Sequence, residues 1–331
     1  MSDANTTSLS RRQVLAGGSV LGAAALTGAF TPEAAHAKGP MLGTQAPYFY
    51  RFKLGDAEGT IVSDGTLPLG DPHANFVNIA GEEMDRQLRD NFLPKENAVL
   101  EQNALIVNMG ERTILFDTGM GQMKNFGPTT GKLMNSVKQA GIDPASIDAV
   151  VMSHAHIDHC GGNMNADGKP NFPNAQYYIM QDDYDYWTDE NKVPKAFGDF
   201  LTQARRNLTP NRDKMHFFKD GEEFLPGVHA IHAPGHTVGH TIFMIESAGK
   251  QLCYVGDLSH HPVLLLEKPL TEFKYDTDPK QSAQSRLKNL TMLADKKIPL
   301  VAYHFAWPGI GHVAKSGDGF RYYPSGMQME L

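Results

Sequence analysis

Seven histidine and aspartate side chains occur in this sequence at spacings that suit metal ions. The densest group is Ser153-His154-Ala155-His156-Ile157-Asp158-His159, which places four of them within six residues. Zinc binds imidazole nitrogen and carboxylate oxygen, and Gly161-Gly162 permits the sharp exit that such a loop requires. A cluster of surface histidines is the alternative, but it does not explain this density directly after a short apolar run.

Three further candidates each follow a predicted strand. His236 lies in Ala233-Pro234-Gly235-His236-Thr237, Asp257 ends Tyr254-Val255-Gly256-Asp257, and His304 ends Ala302-Tyr303-His304. Any one of them alone is weak evidence for a metal site, because strand-end histidines and aspartates often cap turns. Together with the first group they make seven ligands, which suit two metal ions better than one.

The elements that position these residues are predicted from apolar periodicity. Strands are predicted over 49–54, 60–63, 104–107, 113–116, 148–153, 176–180, 228–232, 240–246, 252–255 and 300–303, the last expected to be the final strand. Helices are predicted over 132–140, 182–191 and 196–208 and from Asp278 onward. Residues 66–100 are polar and contain prolines, which favours a covering loop. Two β-rich halves, each with helices, indicate two sheets packed face to face with helices outside.

The first 37 residues have the features of a twin-arginine signal peptide. Ser10-Arg11-Arg12-Gln13-Val14-Leu15 is followed by a Gly/Ala-rich apolar run and by the cleavage-site pattern Ala35-His36-Ala37. We expect residues 1–37 to be cleaved and residues 38–331 to form a single domain that is periplasmic or secreted. An uncleaved anchor is the alternative, and we expect no stable membrane span after cleavage.

Composition narrows the function classes. The 331 residues include 30 Lys+Arg against 37 Asp+Glu, a net charge of −7 that argues against a broad nucleic-acid-binding surface. Two cysteines cannot form a disulfide framework. We expect Cys160 to be a small buried residue and not a ligand, and we expect no disulfide between it and Cys253.

The ordered set H-x-H-x-D-H, H, D, H resembles that of the metallo-β-lactamase superfamily, over about residues 45–325. This resemblance implies an α/β fold, the αββα sandwich of two mixed β-sheets with metals at the sheet edges. It also implies that Asp117, in Asp117-Thr118-Gly119, lies near the metals without binding them. The implied ligands are His154, His156 and His236 for one metal, Asp158, His159 and His304 for the other, and Asp257 as the bridge between them.

Two divalent ions, expected to be Zn, would make this chain a hydrolase. They lower the pKa of a shared water to near neutrality, and the metal-bridging hydroxide attacks a carbonyl carbon or a phosphorus. Asp257 would hold the bridge and could pass a proton to the leaving group. The sequence contains no G-x-S-x-G motif that would supply a serine nucleophile.

The substrate class is indicated by a closer resemblance. The segments 304–312, 63–66 and 126–129 are similar to the methyl parathion hydrolase branch, which is related to quorum-quenching lactonases and hydrolyses organophosphate triesters, lactones and aryl esters. The apolar pocket that this implies consists of Phe126, Trp187, Phe197, Leu67 and Leu258, with ordinary core packing as the alternative for each. The polar run 258–261 departs from the branch and argues more against phosphotriesters than against lactones or esters.

We therefore expect a lactonase or arylesterase with phosphotriesterase side activity. The alternatives are a phosphotriesterase as the main activity and a non-catalytic metal-binding protein on the same fold. The expected partners are a small uncharged ester, lactone or phosphotriester, with no nucleic acid; a homodimer is left open. His240 is expected to support His236, and His260 and His261 either line the pocket or lie in a loop.

Overall fold

The computed structural model describes residues 39, 41 and 48–326, and all of its elements lie in the unit Ala46–Leu331. The predicted signal peptide lies outside the described residues. Among the helices that are described, none is both long and apolar enough to cross a membrane.

Sixteen strands run through the described part of the chain. They are β1 (Phe49–Leu54), β2 (Ala57–Gly70), β3 (Phe76–Val77), β4 (Ala98–Asn108), β5 (Thr113–Phe116), β6 (Ala149–Val151), β7 (Gln176–Met180), β8 (Met215–Phe218), β9 (Glu223–Leu225), β10 (Val228–His232), β11 (Thr241–Ser247), β12 (Lys250–Tyr254), β13 (Glu272–Phe273), β14 (Leu300–Val301), β15 (Ile310–Ser316) and β16 (Gly319–Pro324).

Seven α-helices and three 3-10 turns connect these strands within the same described residues. The helices are α1 (Pro72–Asn75), α2 (Gly81–Asp90), α3 (Leu133–Gln139), α4 (Ile157–Cys160), α5 (Gln181–Trp187), α6 (Gly198–Leu208) and α7 (Pro279–Lys296). The 3-10 turns are Pro144–Ser146, Lys195–Phe197 and Thr209–Lys214.

The strands form two large mixed sheets. The first has the order β1-β2-β4-β5-β6-β7-β8, and the second has the order β16-β15-β14-β12-β11-β10-β9. In the first sheet β5, β6, β7 and β8 are parallel, and in the second only β12 and β14 are parallel among the described pairs. A small third sheet pairs β13 with β3.

Parallel pairing places the ends of several strands at a common edge. Phe116 of β5 is opposite Val151 of β6, and Tyr254 of β12 is opposite Val301 of β14. Residues that follow each member of a pair at the same distance therefore leave the sheet side by side. This register accounts for the meeting of residues that are far apart in the sequence.

The core has one layer between the sheets and another beneath a helix. Along β11 the residues alternate, so Phe243 belongs to the cluster between the sheets and Met244 to the cluster that contains Leu290 of α7. The Phe116 and Phe243 rings, one from each sheet, have centroids 5.5 Å apart. Both faces of the second sheet are thus buried, and the predicted α/β sandwich of two mixed sheets with helices is confirmed.

Two predictions about elements were wrong. The segment 66–100 is not a covering loop, because β2 continues to Gly70 and the helix α2 and the start of β4 follow. The periodicity of α2 was hidden because few of its residues, Met84 and Leu88 among them, are buried. The strand at 300–303 is not the last, since β15 and β16 follow as a hairpin whose turn contains Gly317 at φ 56°.

Candidate metal centre

The first four candidate ligands lie where β6 leaves the first sheet. His154 and His156 occupy the segment after the strand, and His156 is extended (φ −69°, ψ 157°) immediately before α4. Asp158 and His159 lie in the single turn of this helix. All four are buried, and the most exposed of them, Asp158, retains 7% of its accessible surface.

Close backbone packing explains the two glycines after this loop. A Cβ on Gly161 would lie 2.2 Å from the carbonyl oxygen of Ile157, and one on Gly162 would lie 2.0 Å from that of Thr118. Gly161 has an ordinary helical φ of −62°. Glycine is therefore needed here because no side chain fits. The expectation that these glycines permit a sharp turn of the backbone is corrected.

The other three candidates leave the second sheet at strand ends. His236 follows β10 in a turn where Gly235 has φ 124°. Asp257 follows β12 and His304 follows β14, and the parallel register of these two strands places both residues at one edge. The two sheets thus contribute four and three of the candidate ligands.

The seven donor groups meet in two neighbouring sets. Each residue supplies one atom, and within each set all such atoms lie within 4.8 Å of one another. The sets are His154, His156, His236 and Asp257, and Asp158, His159 and His304.

Asp257 lies between the two sets. Its Oδ2 is 3.1 Å from Nε2 of His236 and 3.6 Å from Nε2 of His154. Its Oδ1 is 3.2 Å from Nε2 of His159 and 3.3 Å from Nε2 of His304. Each carboxylate oxygen therefore faces a different set, which is the arrangement that a bridging ligand requires.

Unpaired buried atoms show that this cluster fits metal ions. Nε2 of His156, Nε2 of His159 and Oδ1 of Asp257 are buried and have no hydrogen-bond partner. A buried polar atom without a partner costs about 1–3 kcal/mol. Divalent cations would satisfy these atoms, and a set of imidazole nitrogens and carboxylate oxygens suits zinc.

Three of the histidines are oriented by hydrogen bonds on the far side of the ring. The Nδ1 atoms of His159, His236 and His304 donate to Oδ2 of Asp117, Oδ1 of Asp276 and the carbonyl oxygen of Glu101, each at 2.8 Å. Because Nδ1 carries the proton, each Nε2 keeps its lone pair free for a cation.

Asp117 occupies the place that was expected of it, beside the cluster and outside both sets. It is fully buried at the end of β5 and also accepts hydrogen bonds from the backbone N–H and the hydroxyl of Ser153, both at 2.8 Å. The Tyr254 hydroxyl donates to the same carboxylate at 2.8 Å. Asp117 thus holds His159 and the start of the histidine-rich loop in one orientation.

Burial and neighbouring carboxylates shift the pKa values of the histidines in opposite directions. Burial lowers the pKa of His154 and of His156 well below the usual value, so both rings are neutral. Burial also opposes charge on His236 and His304, but Asp257, together with Asp276 beside His236 and Asp158 beside His304, outweighs it and raises the pKa of each to about 9. The cluster therefore favours positive charge, which cations can supply.

Asp183, which sequence analysis missed, joins two of the ligand-bearing loops. Its carboxylate is fully buried and accepts hydrogen bonds from the backbone N–H of Ala155 at 2.6 Å and of Gly239 at 2.8 Å. Ala155 lies between two candidate ligands, and Gly239 lies three residues after a third. The only signal in the sequence is an aspartate near a predicted helix start, which ordinary helix caps share.

His240 supports the cluster through a different residue from the one expected. Its Nδ1 donates to the carbonyl oxygen of Ala233 at 3.0 Å, and its Nε2 accepts from the backbone N–H of Asp257 at 3.0 Å. It therefore fixes the backbone of Asp257, although its ring also lies 5.8 Å from that of His236.

The cluster forms the floor of a cavity with apolar walls. Leu67 and Phe126, both predicted for the pocket, line it, and so does His260. The further apolar lining residues, which sequence analysis missed, are Leu69, Leu100, Phe200, Phe273 and Tyr275. Most of these residues come from the segment 66–100, which the sequence predicted to be a covering loop, and from the region of β13.

Three residues predicted for the pocket are not among those that line it. Trp187 is 2% exposed and packs against His156, with ring centroids 4.6 Å apart, so it lies behind a candidate ligand. Phe197 packs on Trp187, and Leu258 is buried in the cluster beneath α7. Trp187 and Leu258 therefore pack in the core, the alternative that was left open for them, whereas Phe197 is half-buried against Trp187.

The remaining predictions concern His261 and the cysteines. His261 is buried in a loop, where its Nδ1 accepts the backbone N–H groups of Val263 and Leu264 at 3.1 Å. Cys160 and Cys253 are both buried and free, and burial raises the pKa of each thiol.

Comparison with known proteins identifies the family. Residues 98–303 match the metallo-beta-lactamase superfamily. An N-acyl homoserine lactonase from Bacillus sp is 25% identical over 233 residues, which cover 65% of this chain and 82% of that protein.

Two solved structures are similar over most of the chain. AidC, a dizinc quorum-quenching lactonase in complex with a product, is 31% identical with a TM-score of 0.80, covering 84% of this chain and 98% of that one. The hydrolase AbOPH in the beta lactamase superfamily is 28% identical with a TM-score of 0.80, covering 86% and 99%. These similarities confirm the predicted fold and enzyme class. The chain belongs to the metallo-β-lactamase superfamily and is a metal-dependent hydrolase with lactonases among its relatives.

Proposed function

We propose that this hydrolase opens the ester ring of lactones, with N-acyl homoserine lactones as the first candidates. One observation carries the proposal: five of the seven candidate ligands line the floor of a cavity whose other walls are mainly apolar, and the remaining two, His154 and His159, lie beneath them in the same cluster. Such a cavity suits a neutral ester with an acyl group. The lactonase relatives support the same substrate class.

The proposed site holds two divalent ions, most simply zinc. His154, His156 and His236 would hold one ion and Asp158, His159 and His304 the other, with one oxygen of Asp257 toward each set. Bound ions of this kind supply an activated water and a Lewis acid for the carbonyl oxygen. Asp117 and Asp276 keep the ligand rings oriented, so the donor atoms stay in place through the reaction.

The walls of the cavity select the substrate by burial. Phe126, Phe200 and Tyr275 form an aromatic wall in which the Phe126 and Tyr275 rings lie 6.2 Å apart and the Phe200 and Tyr275 rings 6.5 Å apart. Burying about 100 Å² of apolar substrate there contributes about 2.5 kcal/mol.

Aryl esters and phosphotriesters are the second candidates, favoured by this aromatic wall. A flat neutral aryl group can pack against Phe200 and Tyr275 as an acyl group does. A charged phosphodiester is disfavoured by the apolar walls of the cavity and by the net charge of −7. We propose phosphotriester hydrolysis as a slower side activity, with phosphotriesterase as the main activity kept as the alternative.

A panel of substrates tests the proposal. We expect purified zinc-loaded enzyme to have its highest kcat/KM on an acyl lactone or an aryl ester, a lower value on a phosphotriester, and negligible turnover of a β-lactam or phosphodiester. The control is Phe126→Leu, which keeps an apolar wall but removes the ring. We expect it to affect aryl substrates more than alkyl lactones. A clear preference for a thioester or a β-lactam would refute the proposed substrate class.

We further propose that residues 1–37 direct export by the twin-arginine route. The motif Ser10-Arg11-Arg12 and the pattern Ala35-His36-Ala37 support this. The test is N-terminal sequencing of the protein recovered from the periplasm, for the natural chain and for an Arg11→Lys, Arg12→Lys variant. Equal export of both would contradict the proposal.

A further inference from the structure

His260 contacts the carboxylate that lies between the two ligand sets. It follows Asp257 by three residues, is 3% exposed, and lines the cavity. Its Nε2 lies 2.9 Å from Oδ2 of Asp257. The imidazole is held between two rings, with centroid distances of 4.0 Å to Phe273 and 5.1 Å to His304 and interplanar angles of 29° and 19°.

These contacts belong to a circuit of four side chains that is joined on three of its sides. Asp257 contacts His236 at 3.1 Å, and His236 contacts Asp276 at 2.8 Å. One donor atom each of His236, His260 and Asp276 lie within 4.8 Å of one another. Nδ1 of His260 and Oδ2 of Asp276 are both buried without a hydrogen-bond partner, so the fourth side of the circuit, between His260 and Asp276, is open, and His260 is joined to the group through Asp257 alone.

We propose that His260 is a positioning residue that holds Oδ2 of Asp257, so that each oxygen of this carboxylate faces one ligand set. A free carboxylate rotates about its terminal bond, and rotation would turn both oxygens away from their sets. The hydrogen bond from His260 opposes this rotation, while the bond from the backbone N–H of Asp257 to His240 fixes only the backbone from which the carboxylate extends. The inference rests on the proposed two-ion site.

A direct role for His260 as a metal ligand is less consistent with the contacts. One donor atom each of Asp257, His260 and His304 lie within 4.8 Å of one another, but each ligand set is complete without His260: three imidazoles with Asp257 in one, and two imidazoles with Asp158 in the other. Stacking between Phe273 and His304 also fixes the ring plane. The function of His260 is therefore to direct Asp257.

Three substitutions separate the hydrogen bond from the shape of the side chain. His260→Phe keeps a stacked ring but removes both nitrogens. His260→Asn keeps a polar group near Nδ1 and loses the reach to Asp257, whereas His260→Gln keeps a donor near Nε2. The matched control is His261→Asn, a neighbouring buried histidine outside the circuit, where the Asn oxygen can accept the backbone N–H groups that Nδ1 accepts.

The experiment measures the binding of two equivalents of Co²⁺ or Zn²⁺ to metal-free full-length protein. Calorimetry gives the affinity for each ion, and the absorption spectrum of bound Co²⁺ reports its coordination. We expect His260→Phe and His260→Asn to lower the affinity for the second ion by 10–100-fold and to change the spectrum, as loss of an outer hydrogen bond typically does. His260→Gln should restore most of the affinity, and His261→Asn should match the natural protein.

Unchanged affinity and spectrum in His260→Phe would overturn the inference. So would an equal loss in His260→Gln and His260→Phe, because the hydrogen bond to Asp257 would then not be the cause. These outcomes are distinct from failure of the proposed function. If the natural protein binds two ions but opens no lactone, the substrate proposal fails while the role of His260 is still measured.

Discussion

Asp257 is the residue on which both ligand sets depend. Its two oxygens lie 3.1 Å from His236 and 3.2 Å from His159, one in each set. In Asp257→Asn an amide N–H₂ replaces one oxygen and cannot bind a cation. We expect metal content to fall toward one ion per chain and kcat/KM to fall about a thousandfold, since metal stabilisation is worth several kcal/mol. Metal analysis measures the loss of the ion, and circular dichroism shows whether the fold is retained. Two ions and near-normal turnover in this variant would contradict the bridging role.

Asp276 acts one contact further from the metals. Its Oδ1 accepts from Nδ1 of His236 at 2.8 Å. In Asp276→Asn the charge that orients the imidazole is lost, and we expect zinc affinity to fall by about 10–100-fold. Asp278→Asn is the matched control, because Asp278 caps α7 by accepting from Gln281 and asparagine caps a helix equally well. Competition with a coloured chelator measures both variants, and equal affinities in the two would exclude the orienting role.

At the scale of elements, the turn before His236 shows how tightly a loop can constrain a ligand. Gly235 has φ 124°, and a Cβ there would lie 2.0 Å from the backbone nitrogen of Ser282 in α7. Gly235→Ala should therefore displace either the turn or the helix, lower zinc content, and lower the free energy of unfolding by more than about 2 kcal/mol.

Gly141→Ala separates packing from backbone strain in that experiment. Gly141 also has a left-handed φ, 78°, but no atom lies within 4 Å of the site of its Cβ. We expect it to cost only about 1–2 kcal/mol and to leave zinc content unchanged. Urea unfolding and metal analysis are the measurements. Similar zinc loss in both variants would show that packing against α7 is not what holds His236.

The seven candidate ligands could be predicted from the sequence because four of them form the dense group that follows β6 and the other three lie within four residues of a strand end. There a short apolar run marks the strand, and the next polar residue is already at the sheet edge. Asp183 and Asp276 could not be predicted in this way. Their partners are more than 25 residues away, and only the packing of helices against loops creates the contacts.

The walls of the cavity were harder to predict than its floor. Phe200 and Trp187 are both aromatic residues of predicted helices, yet only Phe200 lines the cavity, because the rotation of each helix decides which side chain faces it. The segment 66–100 was misassigned because its prolines and its charged run 82–90 obscured apolar residues that are about as frequent there as in the whole chain. Its contribution of Leu67, Leu69 and Leu100 depends on the unpredicted length of β2 and the early start of β4.

At the scale of the whole molecule, the candidate ligands lie outside the strands, while the sheets supply the core. None of the seven candidate ligands belongs to the apolar clusters of the described residues. We therefore expect chelation to abolish hydrolysis and to leave the far-ultraviolet circular dichroism intact. The unpaired carboxylates should lower the melting temperature, and zinc at 100 times its Kd should restore about 2.7 kcal/mol. Complete unfolding on chelation at 25 °C would contradict the claim that the sheets hold the fold without the metals.

The two large sheets are contiguous in sequence. All strands of the first sheet precede residue 219, and all strands of the second follow residue 222. A cut in the exposed turn between them would leave each sheet whole and would divide the ligands four to three, with Asp257 on the second fragment. Neither fragment alone would have the ligands for two metal ions, whereas the two fragments together would. Recovery of hydrolysis on mixing separately purified fragments would then serve as a complementation assay. The hydrolysis rate would measure the amount of reassembled protein.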